Sequence, residues 1–464
     1  MFFVALTLAV VVQGPPQNTS RLTTAHDWVV RLGHEMGDSI WPGFRPDTIP
    51  VLYVVRDEGT LLLGWVGELP PGFLPIEGVS HAGWKSSADR GAASTGTTLA
   101  GRPTAQVTVS DSQSIAMLVG LTTHEAFHVF EAASRKEGTR FGQQDNAMLV
   151  TSYPVFDPQN EAGMALEGRI LEAAGRATSK EQRRKLARQF LAVREARQRA
   201  LGSEVTEFEQ LAELNEGLAE YTLVRAVQLA ARRSDFPDRG GAARMVTDKL
   251  TGLHKLTEDV TLSIRLRYYA TGPAIGQLLD QLEGPAWKAR LVNQNLTVQD
   301  ALADASGYRA QELSLRRQAE STFVIAKLRT AADSNVAGLR AVRRAQVDSA
   351  LSAPGVQLVV MVRGRYLGMC GLDPQNLLQV EPGVVLHTRW LQACAGDFQA
   401  TFNTPVLQDG NTQTLRAVIG ADSTVVVTPG ADGGIRVESP LVSLRAAKAV
   451  VSRAGRVLTI KIGS

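Results

Sequence analysis

Residues 124–135, HEAFHVFEAASR, place two histidines, with a glutamate between them, in an apolar, alanine-rich stretch. Positions i and i+4 of an α-helix lie one above the other on the same face. His124 and His128 can therefore direct two imidazole nitrogens at one ion, and Glu125 can reach a water on that ion without being a ligand. The pattern predicts a zinc-binding helix. The alternatives are a coincidental spacing, since single histidines on apolar helix faces are commonly core residues, or a site that has lost its metal.

The bulk composition is that of a globular protein with more than one domain. A chain of 464 residues is too long for one ordinary hydrophobic core. Hydrophobic residues make up 44% and charged residues 20% of the chain, which excludes long disorder. With 49 Lys+Arg against 46 Asp+Glu the net charge is +3, so neither nucleic acid nor an acidic membrane surface is indicated as a partner.

The N-terminal run MFFVALTLAVVVQG is apolar but shorter than the roughly 20 residues that a bilayer span requires. It is typical of the hydrophobic core of a secretory signal, and it predicts a signal peptide over 1–20, an exported protein (periplasmic or secreted) and no integral membrane span. No Lys or Arg precedes Arg21, and no A-x-A cleavage site follows the run. A buried N-terminal strand or helix is therefore the alternative.

Periodicity predicts a small mixed sheet that leads into the HEAFH helix. The predicted elements are a helix over 22–40, strands over 51–55, 60–69 and 103–110, a Gly/Ser-rich loop over 83–98, and a helix over 113–135. We expect Asp111 and Ser112 to cap this last helix.

The remainder of the chain is first helical and then β-rich. Residues 160–350 have a helical pattern, and the arginine-rich segment 181–201 is either an anion-binding surface or a solvated helix face. A long helix is predicted over 310–352. Short β-branched runs separated by turn signals then predict a separate β-sandwich or barrel over 355–464. The only two cysteines, Cys370 and Cys394, either pair in an exported protein or are buried free thiols.

A catalytic zinc needs a third protein ligand and an open fourth position. The remaining histidines lie in no recognisable motif: His26, His34, His81, His254 and His387. A carboxylate is the better candidate, and LAELNEGLAEYTLVRA (211–226) is a helical segment that carries Glu213, Glu216 and Glu220. The alternative for this segment is an ordinary amphipathic helix with solvated glutamates.

HEAFH followed by NEGLAEY resembles the gluzincins, the zinc metallopeptidases that include thermolysin and the membrane-alanyl-aminopeptidase type. The resemblance implies that Zn²⁺ is bound by His124, His128 and Glu216. It also implies that Glu220 is an outer carboxylate that orients a ligand histidine.

A third segment, RLRYYATGPAIGQLLDQLEGPAWK (265–288), is similar to the Y-x-x-G segment of the aminopeptidase-type gluzincins. There a tyrosine donates a hydrogen bond to the tetrahedral oxyanion. The matching residue is Tyr269, with Tyr268 as the alternative. Two adjacent tyrosines at the start of an apolar helix are equally typical of packing residues.

The resemblance covers about residues 110–290 and has two departures. Glu216 follows His128 by 88 positions, so the helices between them must be an insertion that returns the chain to the site. No G-x-M-E-N segment precedes the HEAFH helix, so aminopeptidase specificity is not implied.

Together these features predict an α+β protein with three parts. These are the signal peptide, a zincin-like, mainly helical metallopeptidase domain with a small N-terminal mixed sheet over 21–352, and the C-terminal β domain over 355–464. The predicted reaction is hydrolysis of a peptide or protein substrate, with Glu125 as general base and Tyr269 at the oxyanion. The alternatives are a catalytically inactive binding protein of the same fold and a zinc hydrolase of a non-peptide substrate.

Overall fold

The structure is a computed structural model, and it describes residues 19–56, 58–86, 94–146, 149, 151–253, 264–310, 312–372, 376–430 and 433–463. The predicted signal peptide therefore lies outside the described residues, apart from its last two positions. The chain divides into two compact units, which contain the described residues within 1–145, 163–257 and 265–325 and those within 146–162, 258–264 and 326–464. It combines helices with three β-sheets and is α+β. No helix in the described part of the chain has both the length and the apolar character of a membrane span.

A six-stranded mixed sheet lies near the start of the first unit, where the sequence predicts a small mixed sheet from three strands. Its strands are β1 (Val51–Val55), β2 (Gly59–Leu63), β3 (Leu74–Pro75), β4 (Gly83–Lys85), β5 (Thr95–Leu99) and β6 (Arg102–Val109). The order is β3-β4-β2-β1-β6-β5, and only β1 and β6 pair in parallel. The strand predicted over 60–69 is shorter than expected because Gly64, at φ +73°, turns the chain out of the sheet. The loop predicted over 83–98 is wrong at both ends, where β4 and β5 lie.

Helices make up most of the remaining described part of the first unit. The helices are α1 (Thr19–Ile40), α2 (Ile115–Ser134), α3 (Pro158–Arg176), α4 (Lys180–Leu201), α5 (Ser203–Ala212), α6 (Leu218–Arg232), α7 (Arg239–Thr251), α8 (Ile264–Glu283), α9 (Ala286–Asn293), α10 (Val298–Ser306), α11 (Leu313–Thr322) and α12 (Ile325–Ser352). The start of α3, and α12 after its first residue, fall in the second unit. The helix predicted over 22–40 is confirmed as α1. The single helix predicted over 310–352 is wrong, because Val324, at φ +51°, separates α11 from α12.

The HEAFH helix, α2, is capped by Ser114, whose hydroxyl accepts a hydrogen bond from the backbone N–H of Met117. The caps predicted at Asp111 and Ser112 are wrong. The backbone N–H of Gln113 donates to the carbonyl of Ser110, so these residues form a turn before the helix. The turn moves the first helical residue to Ile115.

Three contacts fix α2 within the first unit. The hydroxyls of Tyr53 in β1 and Thr122 lie 2.9 Å apart and tie the helix to the sheet. A Cβ atom on Gly120 would lie 2.9 Å from Cγ of Leu223, so glycine permits the close packing of α6 against α2. The ring of Phe127 packs edge-on against Trp41, with centroids 5.3 Å apart. The position of α2 is therefore fixed by contacts with the sheet, with α6 and with Trp41.

Buried charges tie α3, α4 and α5 together. Arg194 pairs with Glu167 at 2.8 Å and with Glu213 at 2.6 Å, and Arg197 pairs with Glu167 and Glu209, each at 2.6 Å. We call these five residues the ion-pair network. These two arginines of segment 181–201 belong neither to an anion-binding surface nor to a solvated face, because all five side chains are buried.

The second unit contains a β-sandwich-like pair of antiparallel-rich sheets. Its strands are β7 (Gln357–Val362), β8 (Gly368–Leu372), β9 (Leu377–Glu381), β10 (Val384–His387), β11 (Leu391–Ala395), β12 (Phe398–Phe402), β13 (Val406–Asp409), β14 (Thr414–Val418), β15 (Val426–Pro429), β16 (Ile435–Ser439), β17 (Val442–Ala446), β18 (Ala449–Ala454) and β19 (Val457–Ile462). The sheet orders are β18-β19-β7-β14-β13-β10-β9 and β15-β16-β17-β12-β11-β8. Residues of both sheets form one apolar core. A disulfide joins Cys370 and Cys394 on neighbouring strands β8 and β11.

Candidate metal centre

Two histidines of α2 and a glutamate that follows α5 face one another. The Nε2 atoms of His124 and His128 lie 3.1 Å apart. The Oε2 atom of Glu216 lies 3.5 Å from each of them. We call these three residues the candidate metal centre. Its side chains come from two separate helical segments, so helices α3 to α5 return the chain to α2.

The spacing and the bonding of these atoms suit a tetrahedral metal ion. Two ligands about 2.0–2.1 Å from one zinc ion at the tetrahedral angle lie roughly 3.3–3.4 Å apart. Within the described residues, Oε2 of Glu216 is buried and has no hydrogen-bond partner. A buried carboxylate oxygen without a partner is costly. A cation between the three atoms would satisfy it, so the residues present fit a divalent ion.

Glu216 lies in a single π-helical turn, Glu213–Gly217, between α5 and α6. Such turns insert one residue into a helix and are frequent at functional sites. The turn is anchored because Glu213 accepts hydrogen bonds from Arg194 at 2.6 Å and from Thr271 at 2.7 Å. The ion-pair network therefore holds the segment that presents Glu216.

The approach of α8 to this turn depends on two glycines. A Cβ atom on Gly272 would lie 2.2 Å from Cα of Gly217, and a Cβ atom on Gly217 would lie 3.1 Å from Cα of Gly272. Real Cβ atoms do not approach a backbone as closely as the shorter of these distances, so alanine at position 272 would push the helices apart. The glycine pair brings the N-terminal half of α8 next to the metal centre.

Each histidine has a carboxylate behind it. His124 Nδ1 lies 3.0 Å from Oε2 of Glu220, and His128 Nδ1 lies 3.2 Å from Oε2 of Glu131. Lys249 forms an ion pair with the other oxygen of Glu220. Carboxylates in this position fix the tautomer that leaves Nε2 free to bind a metal. The pairing of His124 with Glu220 is the one that the resemblance implies.

Electrostatics favour cationic character between the three ligand atoms. Burial alone lowers the pKa of His124, but the carboxylates of Glu216 and Glu220 outweigh it and raise that pKa to about 9. Burial likewise opposes the charge on His128, while Glu131 and Glu216 raise its pKa well above the ordinary value. Burial alone raises the pKa of Glu216, and the two facing imidazoles hold it well below the ordinary value. In the absence of a metal, protons on the histidines supply the positive charge that these carboxylates require.

Glu125 adjoins the candidate metal centre without belonging to its ligand set. Its side chain is buried and interacts electrostatically with both histidines and with Glu216. Burial raises the pKa of Glu125 above its ordinary value. A raised pKa suits a carboxylate that must accept a proton.

The two adjacent tyrosines of α8 point in different directions. The ring of Tyr269 lies 5.5 Å from the ring of His124, centroid to centroid. Burial and the nearby carboxylate of Glu216 raise the pKa of Tyr269, so its hydroxyl keeps its proton. Tyr268 is buried, and its ring packs edge-on against Phe208, with centroids 6.4 Å apart. Of the two, Tyr269 is the residue at the metal centre.

The candidate metal centre is less deeply buried at His128 than at His124. The side chain of His128 is 17% exposed, whereas that of His124 is 4% exposed. Strand β5, at the edge of the sheet, runs beside α2 at this point, and a Cβ atom on Gly96 would lie 3.5 Å from Cβ of His128.

Sequence reasoning missed four residues around the centre: Glu131, Asp145, Lys249 and Arg265. For Glu131 a signal was present, because positions i and i+3 of a helix share a face. The other three come from distant segments, and the sequence carries no local signal for them. Arg265 is the most notable, because its guanidinium bonds Glu216 directly at 2.6 Å.

No family model matches the chain, and neither a curated protein nor a solved structure gives a significant match. The function of the protein is therefore inferred from the chemistry of the residues around the candidate metal centre.

Proposed function

We propose that the protein is a zinc-dependent hydrolase with a gluzincin-like catalytic unit, acting on peptide bonds. The observation that carries the proposal is the convergence of His124 Nε2, His128 Nε2 and Glu216 Oε2, which lie 3.1–3.5 Å from one another. A chain with two imidazole nitrogen donors and one carboxylate oxygen offers the ligand set of a catalytic rather than a structural zinc site.

In the proposed site these three residues hold the ion, while Glu220 and Glu131 orient the histidines. When bound, the ion supplies a Lewis acid that polarises the scissile carbonyl and makes a water more acidic.

Glu125 is the general base in the proposed reaction. It accepts a proton from the attacking water and then donates that proton to the leaving nitrogen. The buried position of Glu125 supports this role, because burial raises its pKa and so favours proton uptake. A low-dielectric site also strengthens the hydrogen bond between the carboxylate and the attacking water.

Tyr269 is the proposed oxyanion donor. Its hydroxyl stays protonated because burial and the Glu216 carboxylate disfavour the phenolate. A neutral hydroxyl beside the ligands can donate a hydrogen bond to the oxygen that becomes negative as water attacks.

Zinc analysis of the purified full-length chain, followed by casein and peptide-library assays with and without a chelator, tests the proposal. We expect bound zinc and hydrolysis that chelation abolishes and zinc restores. Bound zinc without hydrolysis of any peptide would contradict the peptidase assignment. An ester or amide panel would then separate a non-peptide hydrolase from an inactive binding protein.

We further propose that the protein is exported. The disulfide between Cys370 and Cys394 supports this, because disulfides persist in oxidising compartments and are rare in the cytosol. Expression with the natural N-terminus, followed by fractionation and thiol labelling, tests it. Recovery in the cytosolic fraction with both thiols free would contradict the proposal.

A further inference from the structure

Arg265 contacts the third ligand of the candidate metal centre. Its Nη2 atom donates to Oε1 of Glu216 at 2.6 Å and to Oδ1 of Asp145 at 3.1 Å. Arg265 is the second residue of α8, and Tyr269 follows it by one helical turn. The same face of α8 therefore carries the guanidinium and the phenol toward Glu216.

The two oxygens of Glu216 have different partners. Oε2 faces the two histidine Nε2 atoms, each 3.5 Å away, and Oε1 accepts the bond from Arg265. A charge-assisted bond of this length is among the strong hydrogen bonds in proteins. The bond fixes the rotation of the Glu216 carboxylate about Cγ–Cδ, so that Oε2 faces the histidines and Oε1 faces Arg265.

Asp145 holds the guanidinium in turn. Its side chain is 2% exposed, whereas that of Arg265 is 29% exposed. Burial raises the pKa of Asp145, while the charge of Arg265 opposes that rise. Because Nη2 bonds both carboxylates, the side chain of Arg265 is restrained to one conformation. A single ion pair at the surface would leave it more rotational freedom.

We propose that Arg265 is a positioning residue that makes Glu216 a one-oxygen ligand and thereby keeps a coordination position of the metal centre open. The inference rests on the proposed function, because it assumes a metal at these ligands. A carboxylate can bind a metal through one oxygen or through both. If Oε1 were released, both oxygens could bind, and the position that a catalytic site reserves for water would be filled.

Cobalt(II) reports this difference directly. Its visible absorption bands are strong in four-coordinate sites without a centre of symmetry and weaken as the coordination number rises. We would add Co²⁺ to the metal-free full-length protein, record the spectrum, and measure affinity by chelator competition. Neither readout requires catalytic activity.

The variants are Arg265→Met and Arg265→Lys, with Arg290→Met as the matched control. Arg290 pairs with Glu283 at 2.6 Å and Asp304 at 2.5 Å, so the control also removes two ion pairs of an arginine. We expect Arg265→Met to weaken cobalt binding by about 10–100-fold, the usual effect of losing an outer partner, and to weaken the visible bands. For Arg265→Lys we expect a cobalt affinity and a band intensity between those of wild type and Arg265→Met. The lysine ammonium keeps the positive charge but lacks the planar, multidentate geometry of a guanidinium.

An Arg265→Met spectrum and affinity equal to those of wild type and Arg290→Met would overturn the inference. Should Arg265→Met fail to fold, Arg265→Lys decides: a spectrum and affinity equal to wild type overturn the inference, and a shift in both supports it. Failure of the proposed function looks different. Either the wild-type protein binds no cobalt at its histidines, or it binds metal and hydrolyses no peptide, and in the second case the cobalt spectra of the variants still test the role of Arg265.

Discussion

Two groups of buried carboxylates in the first unit differ in their partners. In the ion-pair network, hydrogen bonds from Arg194, Arg197 and Thr271 reach all the carboxylate oxygens of its glutamates. At the candidate metal centre and behind His128, Oε2 of Glu216 and Oε1 of Glu131 are buried without a hydrogen-bond partner among the described residues. The comparison indicates that the carboxylates of the first group are satisfied without a ligand, whereas those of the second need a cation or protons.

The largest effect is expected at Glu125, which belongs neither to the ion-pair network nor to the ligands of the metal centre. Glu125→Gln should leave zinc content unchanged and lower peptide turnover by about 10²–10⁴-fold, because the amide cannot accept a proton. Steady-state kinetics and metal analysis on the same preparation measure both quantities. Glu283→Gln, which changes a carboxylate paired with Arg290, is the control. Retained turnover in Glu125→Gln would contradict the assignment of the base.

The next effect concerns the ion-pair network alone. Arg197→Met should lower the free energy of unfolding by about 3–5 kcal/mol, because it leaves the carboxylates of Glu167 and Glu209 buried without their full countercharge. Arg290→Met, which removes partly exposed pairs, should cost no more than about 1 kcal/mol. Urea unfolding of the full-length variants measures the difference between the two losses of stability. Equal losses would remove the distinction between buried and exposed pairs.

Protons and the cation compete at the metal centre, so its affinity should depend steeply on pH. In the metal-free protein the pKa of His124 is raised to about 9 and that of His128 is also raised, so both are charged near pH 7. Zinc binding should then release about two protons, and affinity should rise by up to about 100-fold per pH unit below these pKa values. Titration calorimetry in buffers of different ionisation enthalpy measures the release.

The stability of the metal-free protein should fall as pH rises, whereas its zinc affinity should increase. A histidine whose folded pKa lies above its unfolded value near 6.5 stabilises the fold fully below pH 6.5 and loses that contribution as pH rises through about 9. Metal-free protein should therefore melt at lower temperature at pH 9 than at pH 6.5. A proton release near zero, together with a flat melting profile, would contradict the charge state inferred for the histidines.

The smallest effect concerns the outer carboxylates. Glu131→Gln should weaken zinc binding by about 10–100-fold without preventing it, because His128 keeps a hydrogen-bonding neighbour but loses a charged one. Chelator competition measures the change. An unchanged affinity would mean that Glu131 does not orient His128.

The sequence predicts those features of the site that depend on local spacing. The i, i+4 relation puts His124 and His128 on one face because a helix repeats every 3.6 residues. Glu216 was reached only by resemblance, since no spacing rule connects positions 88 apart. Arg265 and Asp145 could not be predicted, because their approach depends on how α8 packs against the π-helical turn at the glycine pair.

The fold shows the same division between local and non-local information. Hydrophobic periodicity is enough to predict α1 and three strands of the mixed sheet, β1, β2 and β6, and β-branched runs predict several of the C-terminal strands. Strands β3, β4 and β5 were not predicted, and β4 and β5 lie where a loop was expected. The caps predicted for α2 and the unbroken helix predicted over 310–352 are wrong, because the cap at Ser114 and the positive φ of Val324 depend on the geometry of single residues. The burial of Arg194 and Arg197 was also missed, since a charged residue indicates solvent unless its partners are known.

Zinc titration of the metal-free protein tests the central claim most directly, with wild type, Glu216→Gln and the control Glu283→Gln measured side by side. We predict one zinc ion per chain in wild type and control. In Glu216→Gln the affinity should fall by more than the about 10–100-fold that the loss of an outer partner costs. Zinc affinity in Glu216→Gln equal to that of wild type, or no zinc bound by any of the three, would contradict the assignment of His124, His128 and Glu216 as a metal centre.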